Sequence, residues 1–160
     1  MTAPDIVRDT PISAGEAAPD FTLKTQAIED WSLADAVRRS DVVLCFYPMD
    51  FSSVCSTEMK CVTDELDRFA DAGAQVVGIS CDSFFVHKAW AEHLGLKHTL
   101  LADMHRTVCR AYGLYFPDLN VSARGTVCIG QSDSGQGTVK WVQARELGKG
   151  MDVNEVLAAL

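Results

Sequence analysis

The stretch Phe46-Tyr47-Pro48-Met49-Asp50-Phe51-Ser52-Ser53-Val54-Cys55-Ser56-Thr57-Glu58 decides how this chain folds and where its chemistry sits. An apolar run from Val42 to Tyr47 meets Pro48, which has no N–H to give a central strand, so a strand stops there. Past the Phe51-Ser52-Ser53 turn, Met59, Val62, Leu66 and Phe69 recur at the period of a helix with one buried face. One turn back from Met59 stands Cys55. The thiol therefore falls in the first helical turn, on the inward side, where unpaired N–H groups and the positive end of the helix dipole favour an anion. A thiolate is such an anion, and it is the reactive form of cysteine.

Working outward, 160 residues suit one domain with a core of its own, and no segment is apolar for long enough to span a bilayer. The net charge of −8 argues against nucleic-acid or anionic-membrane partners, which need clustered Lys and Arg. Only Arg38 and Arg39 stand together. The N-terminus carries Asp5 and Asp9 and lacks the apolar core of a secretion signal, so a cytoplasmic location is expected. In that compartment Cys45, Cys55, Cys61, Cys81, Cys109 and Cys128 read as free thiols rather than a disulfide framework. There is no Cys-x-x-Cys, and His87, His93, His98 and His105 have no ligand spacing, so no metal or other cofactor is expected.

Residues 1–14 are polar and aperiodic and are expected to be a loosely ordered leader; 15–160 read as a single domain. Turn residues from Gly15 lead into a strand at Phe21 to Leu23, then a short strand near Trp31 and a helical turn at 34–39. The run 41–47 is apolar enough for a strand covered on both faces. After the Cys55 helix, Gly73 sits where a C-terminal glycine would, and 75–80 is the next buried strand. Strand, helix and strand in that order imply a right-handed parallel unit with Cys55 at the C-terminal edge of the sheet. Further on come a helix capped by Ser83 and ending near Gly95, a strand or bend at 100–103, and a short helix stopped by Gly113. A loop at 114–124 precedes a hairpin of 125–129 with 138–144, and Asp152 with Glu155 fits a capping box for the last helix.

The spacing Pro48-x-x-x-Ser52-x-x-Cys55, followed by Glu58, resembles the active-site signature of the peroxiredoxins, thiol peroxidases whose cysteine attacks a peroxide O–O bond. Ser52 stands where that family usually has Thr; it keeps the hydroxyl and loses the methyl that fixes the rotamer. The opening at 15–23 and His87-Lys88-Ala89-Trp90 are similar to the family as well. Tyr112-Gly113, Arg124-Gly125-Thr126 and the brief C-terminus look most like its AhpE-like group, without the long extension that carries a resolving cysteine in typical two-cysteine members. The resemblance covers roughly residues 13–160. It implies an α/β, thioredoxin-like fold with peroxiredoxin insertions and a central mixed sheet flanked by helices. It also implies an antioxidant oxidoreductase that reduces hydrogen peroxide or organic hydroperoxides, and a homodimer.

On that resemblance Cys55 is the peroxidatic residue, Arg124 the active-site cation, and Ser52 with the Cys55 N–H the donors aimed at the peroxide oxygens. Pro48 both ends the strand and shields the thiolate from water. Glu58 suits a helix N-terminus, with orientation of Arg124 as a second role. Tyr47 and Phe51 read as core aromatics or as part of a dimer contact. A thioredoxin-like protein or a low-molecular-weight thiol would reduce the sulfenic acid. Cys61 is the first candidate to resolve it internally, ahead of Cys81 and Cys109. Yet six residues along a helix put Cys61 about 9 Å from Cys55 along the axis and on another face, so the first turns would have to unwind for a disulfide to form. Two other readings compete. A general disulfide oxidoreductase lacks its Cys-x-x-Cys, and a redox-sensing or chaperone-like binding protein would need the thiol but not Ser52 or Arg124.

Overall fold

The computed structural model describes residues 3–160. Its strands are β1 (Thr22–Thr25), β2 (Asp30–Ser32), β3 (Asp41–Phe46), β4 (Ala74–Ser80), β5 (Thr99–Ala102), β6 (Tyr115–Phe116), β7 (Val121–Ser122), β8 (Arg124–Gly130) and β9 (Thr138–Arg145). Its helices are α1 (Leu33–Arg39), α2 (Ser53–Asp64), α3 (Leu66–Asp71), α4 (Phe84–Leu94), α5 (Thr107–Ala111) and α6 (Val153–Ala158). Seven strands form one mixed sheet in the order β2-β1-β5-β4-β3-β8-β9. The strands β3, β4 and β5 are parallel, and β8 runs antiparallel to β3.

Alternation along β3 sorts the core into two layers. Val42, Leu44 and Phe46 face one layer with α1 and α5, whereas Val43, Cys45 and Tyr47 face the other with α2, α3, α4 and α6. The sheet is thus covered on both faces, which is why its central strands are apolar without a break. At its C-terminal end β3 hands over to Pro48, and the loop to α2 crosses the sheet edge there.

Three expectations change. Within the described part of the 1–14 segment, residues 3–14 are held against the domain. Ala3 and Ile12 are buried, and the backbone is tied down by Arg8 N–H to Arg110 O at 3.1 Å and Ile12 N–H to Tyr112 O at 3.0 Å. Gly113, a helix stop in the sequence, adopts φ +69° and lets this segment pass, because a Cβ there would run into the Thr10 carbonyl. Second, the helix after Cys55 breaks at Glu65, whose φ −104° and ψ 9° end α2 and start α3. The apolar stripe continues across the break, so periodicity alone could not reveal it. Third, Asp152 caps α6 through the Asn154 N–H, but Glu155 accepts from Gln143 Nε2 at 2.7 Å instead of closing the capping box.

His98 is an acid-sensitive group in the core. His98 Nδ1 accepts from Thr63 Oγ1 at 2.6 Å, which itself accepts from the Lys97 N–H, and Nε2 faces Met59 Sδ at 3.4 Å. That set suits the neutral ring, and burial pulls its pKa down from 6.5 to about 4. The unfolded chain therefore takes up this proton first as pH falls. The stability tied to His98 is intact above about 6.5 and is lost progressively down to about 4. Between about pH 7 and pH 5 the loss is about 2 kcal/mol. Urea unfolding of the wild type and of His98→Gln at the two pH values checks this. An equal drop in both proteins would rule out His98 as its source.

Candidate active site

Cys55 lies in the first turn of α2, with Ser52 as the N-cap residue, and its side chain is fully buried. The antiparallel register of β3 with β8 pairs Phe46 with Gly125, which puts Arg124 just beyond the end of β3, beside the loop that carries Pro48. Arg124 is 1% exposed, and all three of its nitrogens are engaged. Nε donates to Leu147 O at 2.9 Å, Nη1 to Glu58 Oε1 at 2.8 Å and Nη2 to Cys55 Sγ at 3.1 Å. A guanidinium donor on sulfur in a buried setting is the arrangement that stabilises a thiolate.

The second cation is Arg145, which sequence reasoning missed. It stands directly across from Arg124 on β9, where two like charges repel. Glu58 resolves the conflict. It accepts from Arg124 through Oε1, and through Oε2 from Arg145 Nη2 at 3.3 Å and the Met151 N–H at 2.7 Å. Arg145 Nη2 also donates to Thr126 Oγ1, at 3.0 Å. Two buried guanidiniums and one buried carboxylate leave one positive charge over, and the Cys55 sulfur is the group that Arg124 Nη2 meets. The register of the hairpin was the available signal: once 125–129 pairs with 138–144, the two arginines at its ends face each other.

Ser52 Oγ donates to Met49 O at 2.9 Å and makes no bond to the helix N-terminus. Its proton is thereby committed, so the oxygen offers lone pairs to a ligand rather than the donor expected from sequence. Pro48, Ser52 and Arg124, with Met49, Ser53, Val54, Leu119 and Leu147, line a pocket of about 170 Å³, and Arg124 connects that pocket to the buried Cys55 sulfur. Pro48 is buried, and its ring forms one wall.

The loop between β3 and α2 is held from beneath by a buried network. Asp50 accepts from Tyr47 OH at 2.7 Å and lies 2.6 Å from His87 Nδ1, while His87 Nε2 donates to Leu101 O at 3.1 Å. The Asp50 N–H bonds Asp82 at 3.0 Å. Burial raises the pKa of Asp50 despite the hydrogen bonds from His87 and Tyr47. With its loop so anchored, Phe51 sits at φ +64°, a costly conformation for a residue with a side chain. Tyr47 belongs to the core, its ring 5.4 Å from that of Trp90, whereas Phe51 is 56% exposed.

All six cysteines are free. Cys61 is exposed on the same unbroken helix as Cys55, so the folded state keeps the two apart. Cys81 and Cys109 pack in the other layer of the core from Cys55 and lie against each other, with sulfurs 4.0 Å apart. Cys81 follows the C-terminal end of β4 and Cys55 lies beyond that of β3, yet the two thiols are on opposite faces of the sheet. Cys45 and Cys128 are buried in strands, and desolvation pushes both thiols up, Cys128 to about 12.

Comparison with known proteins gives a consistent result. The model of the "AhpC/TSA family" matches residues 14–141. The chain is 32% identical over 162 residues to the chloroplastic 2-Cys peroxiredoxin BAS1 of Hordeum vulgare, covering 95% of this chain and 75% of that one. It is 35% identical to peroxiredoxin-2 of Mus musculus, over 89% of this chain and 75% of the other. Among solved structures, the reduced 2-Cys peroxiredoxin of Plasmodium vivax is similar with a TM-score of 0.81 at 30% identity, covering 92% of this chain and 79% of that one. AhpC of Mycobacterium tuberculosis gives 0.81 at 26% identity, covering 92% and 95%.

The charge balance at Glu58 makes a prediction. Glu58→Gln keeps an acceptor for Arg124 while removing the anion that two buried guanidiniums share, so it costs roughly 3 kcal/mol of stability. Urea unfolding measures this. A change within about 0.5 kcal/mol, the range of ordinary surface substitutions, would mean that the two cations do not depend on the carboxylate.

Proposed function

The chain belongs to the AhpC/TSA family and is a peroxiredoxin, a thiol-dependent peroxidase, and from that premise we propose that Cys55 is the peroxidatic residue. The observation that carries the assignment is the 3.1 Å contact of Cys55 Sγ with Nη2 of Arg124, a residue that also lines the Pro48 pocket. The Cys55 thiolate attacks the nearer oxygen of a hydroperoxide. An S–O bond forms as the O–O bond breaks, and the departing hydroxide or alkoxide takes up a proton to leave as water or alcohol. Ser52 Oγ accepts from the peroxide hydroxyl, and this holds the substrate in line with the sulfur. The Cys55 N–H and the remaining N–H groups of Arg124 meet the charge that moves onto the leaving oxygen. Pro48 keeps bulk water from the thiolate. A pocket of about 170 Å³ suits hydrogen peroxide or a short organic hydroperoxide.

A thiol closes the cycle. A thioredoxin-like protein is the first choice of reductant, in line with the thioredoxin peroxidase of Echinococcus granulosus, 33% identical to this chain, and a low-molecular-weight thiol is the second. We place Cys61 as the internal resolving residue once the first turns of α2 unwind, a step helped by the strained Phe51 at the helix entrance. The exposed Phe51 and Met49 beside the pocket support a homodimer contact around the active loop. The six free thiols fit a cytoplasmic location. Tyr112-Gly113 and Arg124-Gly125-Thr126 support the AhpE-like group within the family. A sensing or chaperone-like role would leave the Arg124, Glu58 and Arg145 cluster without a task.

Cys55→Ser is expected to abolish peroxide consumption with the fold intact, and full turnover in that variant would refute the assignment. Arg124→Ala is expected to slow oxidation by about two to three powers of ten. Trp90 Nε1 donates to Ser56 Oγ at 3.3 Å, one residue from Cys55, so its fluorescence reports the reaction in a stopped-flow instrument. Disulfide mapping after one equivalent of peroxide separates the two resolving routes. A Cys55–Cys61 bond supports the internal one. Cys55 recovered only as sulfenic acid or as a mixed disulfide, with unchanged turnover in Cys61→Ser, overturns it.

A further inference from the structure

We propose that Cys81 and Cys109 form a second redox site, a dithiol that exchanges with low-molecular-weight disulfides and closes into an intramolecular disulfide independently of Cys55. Cys81 follows the end of β4 and is half-buried, and Cys109 lies on α5 and is fully buried. Their sulfurs are 4.0 Å apart across a separation of 28 residues. That is van der Waals contact, and a disulfide needs the sulfurs only about 2 Å closer. The pair faces the layer built on Leu44, Phe46 and Ile79, whereas Cys55 faces the layer of Cys45, Met59 and Trp90. The sheet stands between them, so the dithiol is not part of the peroxide site.

The surroundings give the two sulfurs different tasks. Cys81 is reachable from solvent, and the hydrogen bond from Cys109 holds its pKa below the ordinary thiol value, with Arg106 adding to the effect against burial and Asp103. Cys109 is pushed up by its contact with Cys81 and by burial, and its Sγ donates to the Arg106 carbonyl at 3.4 Å, so it keeps its proton. Cys81, half-buried where Cys109 is fully buried, is therefore the entering nucleophile and Cys109 the second sulfur. In exchange with glutathione disulfide, the Cys81 thiolate attacks one sulfur, the S–S bond breaks and a glutathione thiolate leaves. Cys109 then attacks Cys81 in the mixed disulfide and its proton goes to the second departing glutathione. One disulfide has been reduced to two thiols, and one protein disulfide has formed.

A metal ion is the competing reading of this cluster, because Asp103 is the third donor group nearby. Both Asp103 oxygens are already used on α5, however, Oδ1 by the Val108 N–H at 3.2 Å and Oδ2 by the Cys109 N–H at 2.8 Å. The positive charge of Arg106 beside Cys81 also disfavours a cation.

The test uses the full chain with Cys55→Ser, so its outcome does not depend on the peroxidase assignment. The reduced protein is equilibrated with glutathione disulfide, alkylated and digested. The expected product is a Cys81–Cys109 crosslinked peptide within a monomer, absent from Cys81→Ser and from Cys109→Ala. Closing that loop is also expected to raise the thermal midpoint of the oxidised protein by roughly 5 to 10 °C over the reduced one. In the chain with Cys55 intact, Cys81→Ser is expected to leave peroxide turnover unchanged. The proposal is wrong if Cys81 and Cys109 both remain thiols while exposed Cys61 is glutathionylated. A stable glutathione adduct on Cys81 with Cys109 still free would overturn it, as would a crosslink only between two chains.

Discussion

A single buried carboxylate, Glu58, is what the active edge of this molecule depends on. Arg124 and Arg145 face each other across β8 and β9, with side chains 2% and 3% exposed, and neither can shed its proton. Two guanidiniums so placed would repel and would each need several kcal/mol of compensation for lost hydration. Glu58, with its side chain fully buried, takes a hydrogen bond from both and a third from the Met151 N–H. It fixes the guanidinium plane of Arg124, so that Nη2 points at Cys55 rather than at solvent. Position and charge follow from one contact: α2 brings Glu58 and Cys55 to the site one turn apart, and the arginine bridges them.

The loop that delivers Cys55 is built under tension. Asp50 is held by Tyr47 and His87, both buried, and Asp82 holds its N–H, so the chain has little freedom between Pro48 and Ser52. Phe51 bears the consequence at φ +64°. On the proposed function, a loop clamped on its inner side and strained at its outer tip can hold its shape while peroxide reacts and still give way for the proposed unwinding of α2. These two demands conflict in any enzyme whose buried sulfur must first meet a small oxidant and then a bulky thiol. Here the conflict is met by separating the clamp, which lies under the loop, from the strain, which sits at the helix entrance.

Much of this was legible in the sequence because it is written in local period and punctuation. Pro48 ended a strand, the apolar stripe of α2 set Cys55 in its first turn, and the two-face apolar runs gave the central parallel strands. Arg124 needed the family pattern, since an arginine at the mouth of a hairpin is by itself an unremarkable surface charge. What escaped was non-local. Arg145 acquires its role only from hairpin register, and Asp50 with His87 meet across 37 residues. The segment 3–14 looked unstructured because its contacts are backbone bonds to α5 and the clearance left by Gly113. The hydroxyl of Ser52 was singled out as a donor, yet its direction depends on the Met49 carbonyl, which no spacing encodes.

The cysteines show how such non-local placement selects chemistry. Cys45 is one residue from the end of β3 and shares a layer with Cys55, but it meets the negative charge of Glu58, which adds to burial in pushing its thiol up. The same carboxylate therefore disfavours ionisation at Cys45 while its partner Arg124 donates to the sulfur of Cys55. Cys128, in the same layer on β8, is raised by burial alone as the leading cause. Fully buried thiols next to an anion or in bare hydrocarbon are poor nucleophiles, whereas a fully buried thiol with a guanidinium at 3.1 Å can carry charge. Burial does not separate Cys55 from its neighbours. The direction of one arginine does, and that direction is set by Glu58.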